Sequence, residues 1–269
     1  MRRKFLATAA ALAACFAAAP AAAQQADSKE VDVALVLAVD ISYSMDYDEQ
    51  RLQRQGYIEA ILSKQVIDGI RQGVHGRIAV AYIEWAGVHE RQVTIPWTII
   101  DGEASARAFT ALLDEKVNPI IRRRWTSVSG AIDLGVELIE SSGYTAIRKV
   151  IDVSGDGPNN HGRPVEPARD EALGKGIVIN GLPIVIKRAF NSQYDIRDLA
   201  PYYEDCVVGG PGSFSIAIQE PAQFIEATKN KLLREIAGLD VPPVIRASDR
   251  PKVDCMVGER MIRERWRNN

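Results

Sequence analysis

An unbroken apolar run, Val33–Val39, leads directly into Asp40 and then into two serines at alternate positions, Ser42 and Ser44. A run that is rich in Val and Leu, without polar alternation, is typical of a strand buried on both faces of a sheet. Open α/β sheets are built from such strands and bind ligands at their carboxyl ends. The sequence therefore predicts that Asp40, Ser42 and Ser44 lie where a ligand would bind.

The pattern D-x-S-x-S places one carboxylate and two hydroxyl groups on a single turn. These are hard oxygen ligands, which suit Mg²⁺, Mn²⁺ or Ca²⁺ and suit Zn²⁺ or Cu poorly. So short a pattern also occurs by chance. In the simpler interpretation Asp40 caps the turn, while Ser42 and Ser44 cap the helix that follows.

Two further loops carry oxygen ligands. Thr126 follows a basic loop and opens a predicted helix, and Asp156 comes directly after the predicted strand Lys149–Ser154. If the strands ending in Asp40 and Asp156 are neighbours, five side chains converge on one edge and leave a coordination position for water or an outside carboxylate. Taken singly, Thr126 is also a plausible N-cap, and Asp156 a plausible Asx-turn residue before Gly157. Their common order and placement favour a metal site.

Strand-like and helix-like segments alternate from residue 31 to residue 240. This alternation predicts an α/β fold with a doubly wound, mostly parallel sheet of about six strands and helices on both faces. The strands Arg77–Trp85 and Arg91–Trp97 are joined too closely for a parallel crossover, so we expect an antiparallel hairpin at one edge of the sheet. Ser213–Ile218 is predicted as the last strand. The predicted helices cover residues 48–70, 101–113, 128–142, 164–174, 195–203 and 221–237.

Residues 1–23 have the composition of a signal peptide. A positive start at Arg2–Lys4 and an Ala-rich stretch lead to an A-x-A cleavage site, Ala21–Ala23. The apolar stretch is too short for a good transmembrane span. The rival interpretation treats Leu12–Cys15 as a lipobox, which would leave a lipidated Cys15 as a membrane anchor. We favour cleavage after Ala23 and thus expect a periplasmic or secreted protein; in both cases the chain leaves the cytoplasm.

Removing the leader leaves 30 Lys and Arg against 35 Asp and Glu, a net charge of −5. That balance, with no basic-aromatic patch, disfavours nucleic acid as a partner. Two cysteines remain, Cys206 and Cys255, and an oxidising compartment favours a disulfide between them over two free thiols. We interpret residues 24–30 as a linker, 31–240 as the domain and 241–269 as a tail held by that bond, with its last dozen residues loose.

Together the motifs resemble the von Willebrand factor A (vWA) domain with a full metal-ion-dependent adhesion site (MIDAS). The resemblance spans about Asp32–Leu239, and within the family the chain looks like an exported bacterial branch, a single-domain protein of unknown function. It implies one antiparallel edge strand, and it implies that the metal residues are Asp40, Ser42, Ser44, Thr126 and Asp156. Two features depart from the family: Tyr43 replaces a small residue inside D-x-S-x-S, and Asn191–Gly212, with Tyr202, Tyr203 and Cys206, is expected to shape a private binding surface.

Two classes of function fit this resemblance. In the favoured one, a protein-binding module holds Mg²⁺ (or Mn²⁺ or Ca²⁺) and a protein partner completes its shell with an Asp or Glu. The alternative is a hydrolase that uses the same cation on a phosphoester. We expect no enzyme, because the sequence lacks a P-loop, an H-E-x-x-H motif and a G-x-S-x-G elbow. A dinucleotide site is disfavoured, since Gly209–Gly212 precedes a predicted strand rather than a helix. A membrane partner is expected only if Cys15 is lipidated, and the sequence does not specify an oligomeric state.

The histidines add little to this picture. His75, His89 and His161 lack metal-ligand spacing and are interpreted as surface or loop residues. Only His161, five residues after Asp156, is near enough in sequence to border the site.

Overall fold

The structure, a computed structural model, describes residues 29–186, 196, 198–237 and 252–268. The predicted leader with Cys15, and the first part of the tail, lie outside the described residues. The described chain forms a five-stranded sheet in the order β3-β2-β1-β4-β5. Its strands are β1 Glu30–Asp40, β2 Ile78–Trp85, β3 Arg91–Ile100, β4 Thr145–Gly155 and β5 Ile177–Pro183.

The predicted buried strand, β1, lies at the centre of the sheet and pairs in parallel with both β2 and β4. Its side chains alternate between two cores: Leu35 and Leu37 lie in one, and Val36 and Ala38 in the other. An uninterrupted apolar sequence is needed because both faces are covered. β2 and β3 pair antiparallel at one edge, which confirms the predicted hairpin.

Helices cover both faces of the sheet, as the doubly wound prediction requires. One core packs against α1 Tyr47–Leu62, α2 Lys64–Arg71, α3 Glu103–Lys116 and α7 Phe224–Ala237. The other packs against α4 Val128–Ser141, α5 Val165–Gly174 and α6 Leu199–Tyr202, which continues into a π-helical turn, Tyr203–Val207. A last helix, α8, spans Val257–Asn268.

Three predicted elements differ from the structure. The helix predicted over residues 48–70 is divided at Ser63, whose backbone is extended and whose hydroxyl accepts from Val66 N at 3.3 Å, capping α2. The segment predicted as a sixth strand pairs only through isolated bridges, Gly181 with Ser215 and Ile184 with Ile218. The last dozen residues, predicted to be loose, form α8.

The tail is fastened to the domain at two points. Cys206, in the π-helical turn, is bonded to Cys255, and their Cα atoms lie 5.5 Å apart. Beside this disulfide, Val253 N donates to Asp205 Oδ2 at 2.9 Å. The start of α8 then packs so closely on Asn159 that a Cβ at Gly258 would collide with the Asn159 carbonyl. The described tail is therefore part of the folded unit.

We expect non-reducing peptide mapping to recover Cys206 joined to Cys255. Replacing both residues with serine should increase amide hydrogen exchange in α8 more than in β1 and β4, because the bond fastens the tail and lies outside the sheet. Removing a native disulfide typically costs about 2–5 kcal/mol. Recovery of both cysteines as alkylatable thiols in the native protein would contradict the pairing.

A buried ionic cluster connects helix α7 to the central sheet. Lys231 of α7 is fully buried; its ammonium lies 2.5 Å from Asp152 Oδ1 of β4 and also contacts Glu235. Asn180 donates to Glu235 at 3.0 Å, and Tyr57 donates to Asp152 at 3.3 Å. Burial raises the pKa of Asp152 to about 7; Lys231 acts against this shift, and repulsion from Glu235 adds to it. The single ammonium thus compensates two carboxylates, and the cluster as a whole links α1, β4, β5 and α7.

Candidate metal centre

The two predicted carboxylates lie at the same edge of the sheet. β1 and β4 are parallel neighbours with Val39 opposite Ser154, so Asp40 and Asp156 leave the sheet side by side. This meets the condition on which the sequence argument depended. Asp40 is fully buried and Asp156 nearly so. The Asp40 Oδ1 atom accepts from Ser42 N at 2.7 Å, which fixes the orientation of the carboxylate.

The second oxygen of Asp40 has a different environment. Oδ2 is buried, and no donor in the described part of the chain meets hydrogen-bond geometry with it. Burial raises the pKa of Asp40, and repulsion from Asp156 raises it further; the Ser42 groups and the nearby Asp156 N–H act in the opposite direction. A buried oxygen acceptor without a partner is costly. Two adjacent buried carboxylates with one such oxygen fit a bound cation.

The turn after Asp40 brings the two serine hydroxyls together. Ser42 Oγ and Ser44 Oγ lie 2.7 Å apart. Neither caps the next helix, because Asp46 is the N-cap of α1: its carboxylate accepts from Glu49 N at 2.8 Å, and Glu49 accepts from Asp46 N at 2.9 Å. The capping interpretation of the serines is therefore wrong, and both hydroxyls stay at the edge where Asp40 lies.

Thr126 is positioned just ahead of α4. The N-cap of that helix is Ser127, so Thr126 is not the cap. Its backbone is held by Asn160: Thr126 N donates to Asn160 Oδ1 at 2.9 Å, and Asn160 N donates to Thr126 O at 2.8 Å. A Cβ built on Gly157 would lie 3.7 Å from Thr126 Oγ1 and 4.0 Å from Ser44 Oγ. Both hydroxyls therefore border the space beside the Asp156–Gly157 turn, which a glycine leaves open.

The structure thus brings all five predicted residues to one edge of the sheet. Within the described ranges, no three His, Cys, Asp or Glu side chains group together as a metal cluster. A cation here would therefore depend on two carboxylates and on hydroxyl or water oxygens. That donor set fits Mg²⁺ and similar hard ions, which prefer oxygen ligands.

Sequence reasoning did not identify Asn159, whose side chain supports the loop that follows Asp156. Asn159, in the loop after Asp156, accepts from Ser129 N at 3.0 Å and donates to Arg163 O at 3.0 Å and to Glu259 of α8 at 2.7 Å. The amide therefore joins the carboxylate loop to α4 and to the tail. The only local signal was the pair of asparagines after Pro158, which assigns neither residue a partner.

His161 contacts the loops around the centre. Its Nδ1 accepts from Val88 N at 3.1 Å, and its ring stacks on Trp125 with the centroids 5.2 Å apart. Trp125 has a positive φ of 71°, a left-handed conformation that is uncommon for a bulky residue. His161 thus holds the loop that precedes Thr126.

The second departure from the family lies beneath the centre. The segment Asn191–Gly212 is only partly described, and within it Tyr202, Tyr203 and Cys206 are fully buried. These three do not form the private surface expected of them. A Cβ on Gly155 would lie 3.0 Å from Tyr203 Oη and 2.7 Å from Asp40 Oδ2, so the phenol packs close under the metal centre.

Comparison with known proteins adds three observations. The sequence profile of a family described as "protein of unknown function (DUF1194)" matches residues 30–240. No curated protein matches the sequence. Several solved structures match the fold of this chain.

Three of these structures indicate the fold. Proximal thread matrix protein 1 from the mussel byssus, with a zinc-occupied MIDAS motif, has a TM-score of 0.57 at 12% identity over 79% of this chain and 50% of its own. A von Willebrand factor type A protein from Catenulispora acidiphila scores 0.52 at 15% identity, over 77% and 43%. The pilus adhesin SpaC from Lactobacillus rhamnosus GG, in its open conformation, scores 0.55 at 13% identity, over 77% and 30%. This chain spans half or less of each, and at these identities the likeness concerns the fold alone.

Proposed function

The chain belongs to the DUF1194 family and has the vWA fold, and on that basis we propose that it is a protein-binding module dependent on a divalent cation. The observation that carries this proposal is Asp40 Oδ2, a buried carboxylate oxygen without a hydrogen-bond donor in the described chain. It lies beside a second carboxylate, which makes the pair unfavourable without a positive charge. The residues proposed to hold the cation are Asp40, Ser42, Ser44, Thr126 and Asp156.

Mg²⁺ is the proposed ion, with Mn²⁺ or Ca²⁺ as alternatives, because all the donors are oxygens. When bound, the cation supplies the positive charge that accepts an Asp or Glu carboxylate from a protein partner. Only two of the proposed donors are carboxylates and the other three are neutral hydroxyls, so the shell keeps a coordination position that a carboxylate from the partner can fill. Zinc at the MIDAS of the mussel protein supports a divalent cation in general, and the description of SpaC as a pilus adhesin supports a protein-binding role.

We further propose that the protein acts outside the cytoplasm, in the periplasm or as a secreted protein. The supporting features are the leader-like residues 1–23 and the Cys206–Cys255 bond, which suits an oxidising compartment. A lipid anchor at Cys15 remains the alternative. In the part of the chain that the structure describes, none of the helices has the length and apolar composition needed to span a bilayer.

The proposal is tested with the metal first and the partner second. Calorimetry should show Mg²⁺ binding to the wild-type protein, and Thr126→Ala should weaken it about tenfold, equivalent to about 1.4 kcal/mol. Thr98→Ala is the matched control, since Thr98 lies on edge strand β3, where its hydroxyl donates to Pro96 O at 3.0 Å. Affinity capture from a periplasmic extract should then retain a protein in Mg²⁺ and release it in EDTA. Absence of any divalent-cation binding at millimolar concentrations would contradict the proposal.

A further inference from the structure

We propose that the loop Arg122–Trp125 is a second contact region that selects an acidic protein segment, in which further Asp or Glu residues flank the carboxylate that reaches the metal centre. This inference rests on the proposed function, because the same partner is anchored at the cation. It adds the chemistry of that partner, which the metal centre alone leaves open.

The loop lies directly beside the metal centre. Arg123 N donates to Ile41 O at 2.8 Å, and Ser42 and Arg123 form a parallel bridge, so the loop runs alongside the D-x-S-x-S turn. Its last residue, Trp125, precedes Thr126. A carboxylate-bearing segment that reached the cation would therefore pass over these arginines.

Within the described residues, the three arginines carry charge that no carboxylate compensates. In the described ranges, Arg122, Arg123 and Arg124 make no ion pair with a carboxylate. The side chains of Arg123 and Arg124 are exposed, and that of Arg122 is half-buried. A guanidinium binds a carboxylate with two parallel hydrogen bonds, so each arginine is suited to an acidic side chain.

Aromatic contacts hold two of these guanidinium groups in place. Arg122 lies 5.7 Å from the centroid of the Tyr43 ring and also donates to the Tyr43 carbonyl. Arg124 lies 5.6 Å from the Trp125 ring, which is itself stacked on His161. Cation–π contacts of this kind orient the charge without neutralising it. Tyr43, which is 58% exposed and replaces the small residue of the family, thus orients one of the arginines.

Charge complementarity identifies the occupant. The whole chain carries a net charge of −2, whereas the three consecutive arginines concentrate positive charge beside the centre. Such a patch attracts a negatively charged partner and speeds its encounter. A protein segment is favoured over a nucleic acid because the overall negative charge opposes a long polyanion, whereas a short acidic peptide meets only the loop.

The test uses two synthetic peptides in a Gly/Ser background, one with a single central Asp and one with glutamates added on both sides of it. In Mg²⁺ and low salt, fluorescence anisotropy should show that the glutamates tighten binding about tenfold or more, and added salt should reduce this gain. The gain should disappear in Arg122→Gln/Arg123→Gln/Arg124→Gln. It should persist in the matched control Arg263→Gln/Arg265→Gln/Arg267→Gln, which removes the same charge from the exposed end of α8.

Three outcomes overturn the inference: no gain from the glutamates, a gain that survives in the loop variant, or tighter binding of a single-stranded oligonucleotide than of the acidic peptide. The single variants Arg123→Gln and Arg124→Gln, both at exposed positions, repeat the test if the triple variant fails to fold. Calorimetry with Mg²⁺ alone keeps the two proposals distinct. Absence of Mg²⁺ binding in the wild type would contradict the metal centre. The single variants Arg123→Gln and Arg124→Gln, which keep the contact of Arg122 with the Tyr43 carbonyl, are expected to bind Mg²⁺ normally.

Discussion

Asp40→Ala is expected to abolish Mg²⁺ binding while leaving the fold nearly intact. Asp40 lies at the end of the central strand and supplies the buried oxygen that no donor among the described residues satisfies. Without the cation, the carboxylate repels Asp156, so its removal relieves a repulsion that offsets part of the cost of leaving Ser42 N without its acceptor, and the metal-free protein should stay folded. In the wild type, Mg²⁺ at 100 times its dissociation constant should raise the free energy of unfolding by about 2.7 kcal/mol. Calorimetry and thermal melts with and without Mg²⁺ measure both effects.

Two further variants sharpen this experiment. Asp40→Asn keeps the shape but removes the charge, and it should bind Mg²⁺ as poorly as Asp40→Ala. Asp48→Ala is the matched control: its side chain is 75% exposed and lies 3.7 Å from Arg51. It should change neither metal binding nor stability appreciably. If Asp40→Ala bound Mg²⁺ like the wild type, or captured its partner equally well in EDTA, the metal-bridge mechanism would be wrong.

Lys231→Met is expected to cost about 3–5 kcal/mol of stability, because it leaves Asp152 and Glu235 buried without their cation. Urea unfolding measures the loss. The pKa of Asp152 is about 7 in the folded state, which lies above its value in the unfolded chain, so protonation of Asp152 favours the folded state. The stability of the wild type should therefore fall as the pH rises from the unfolded pKa of Asp152 through about 7. The loss in Lys231→Met should therefore be smaller near pH 5 than near pH 8.

The buried cluster also offers its own controls. Adding Asp152→Asn and Glu235→Gln to Lys231→Met removes the stranded charges and should recover most of the lost stability. Lys229→Met, which breaks the pair with the exposed carboxylate of Glu226, should be close to neutral. A loss in Lys231→Met no larger than that in Lys229→Met would show that the cluster does not hold α7 to the sheet.

The centre of the fold could be predicted because short stretches of sequence show which strands are buried and how they are connected. The apolar run Val33–Val39 fixes β1 as a strand covered on both faces, and the short connection Gly87–Glu90 permits only an antiparallel pair. The five predicted metal residues all follow such strands or precede α4, so topology alone brings them to one edge.

Other features depend on long-range contacts that no local pattern shows. Ser213–Ile218 has a strand-like sequence, yet its partner β5 ends at Pro183, which has no N–H to continue a ladder, so only bridges form. The helix α8, which the sequence did not predict, is held by the Cys206–Cys255 bond and by packing on Asn159. The left-handed backbone of Trp125 occurs together with stacking on His161 and could not be predicted, since its residue type favours other conformations.

The contact between α8 and Asn159 sets an order in which parts of this protein can assemble. A chain that emerges from its amino end delivers Asp40 first and Asp156 more than a hundred residues later. Among the described residues that bond this loop, Glu259 comes latest in the chain; it accepts from Asn159 at 2.7 Å. Full support of that loop therefore waits until residue 259 has emerged and the tail has closed onto the domain.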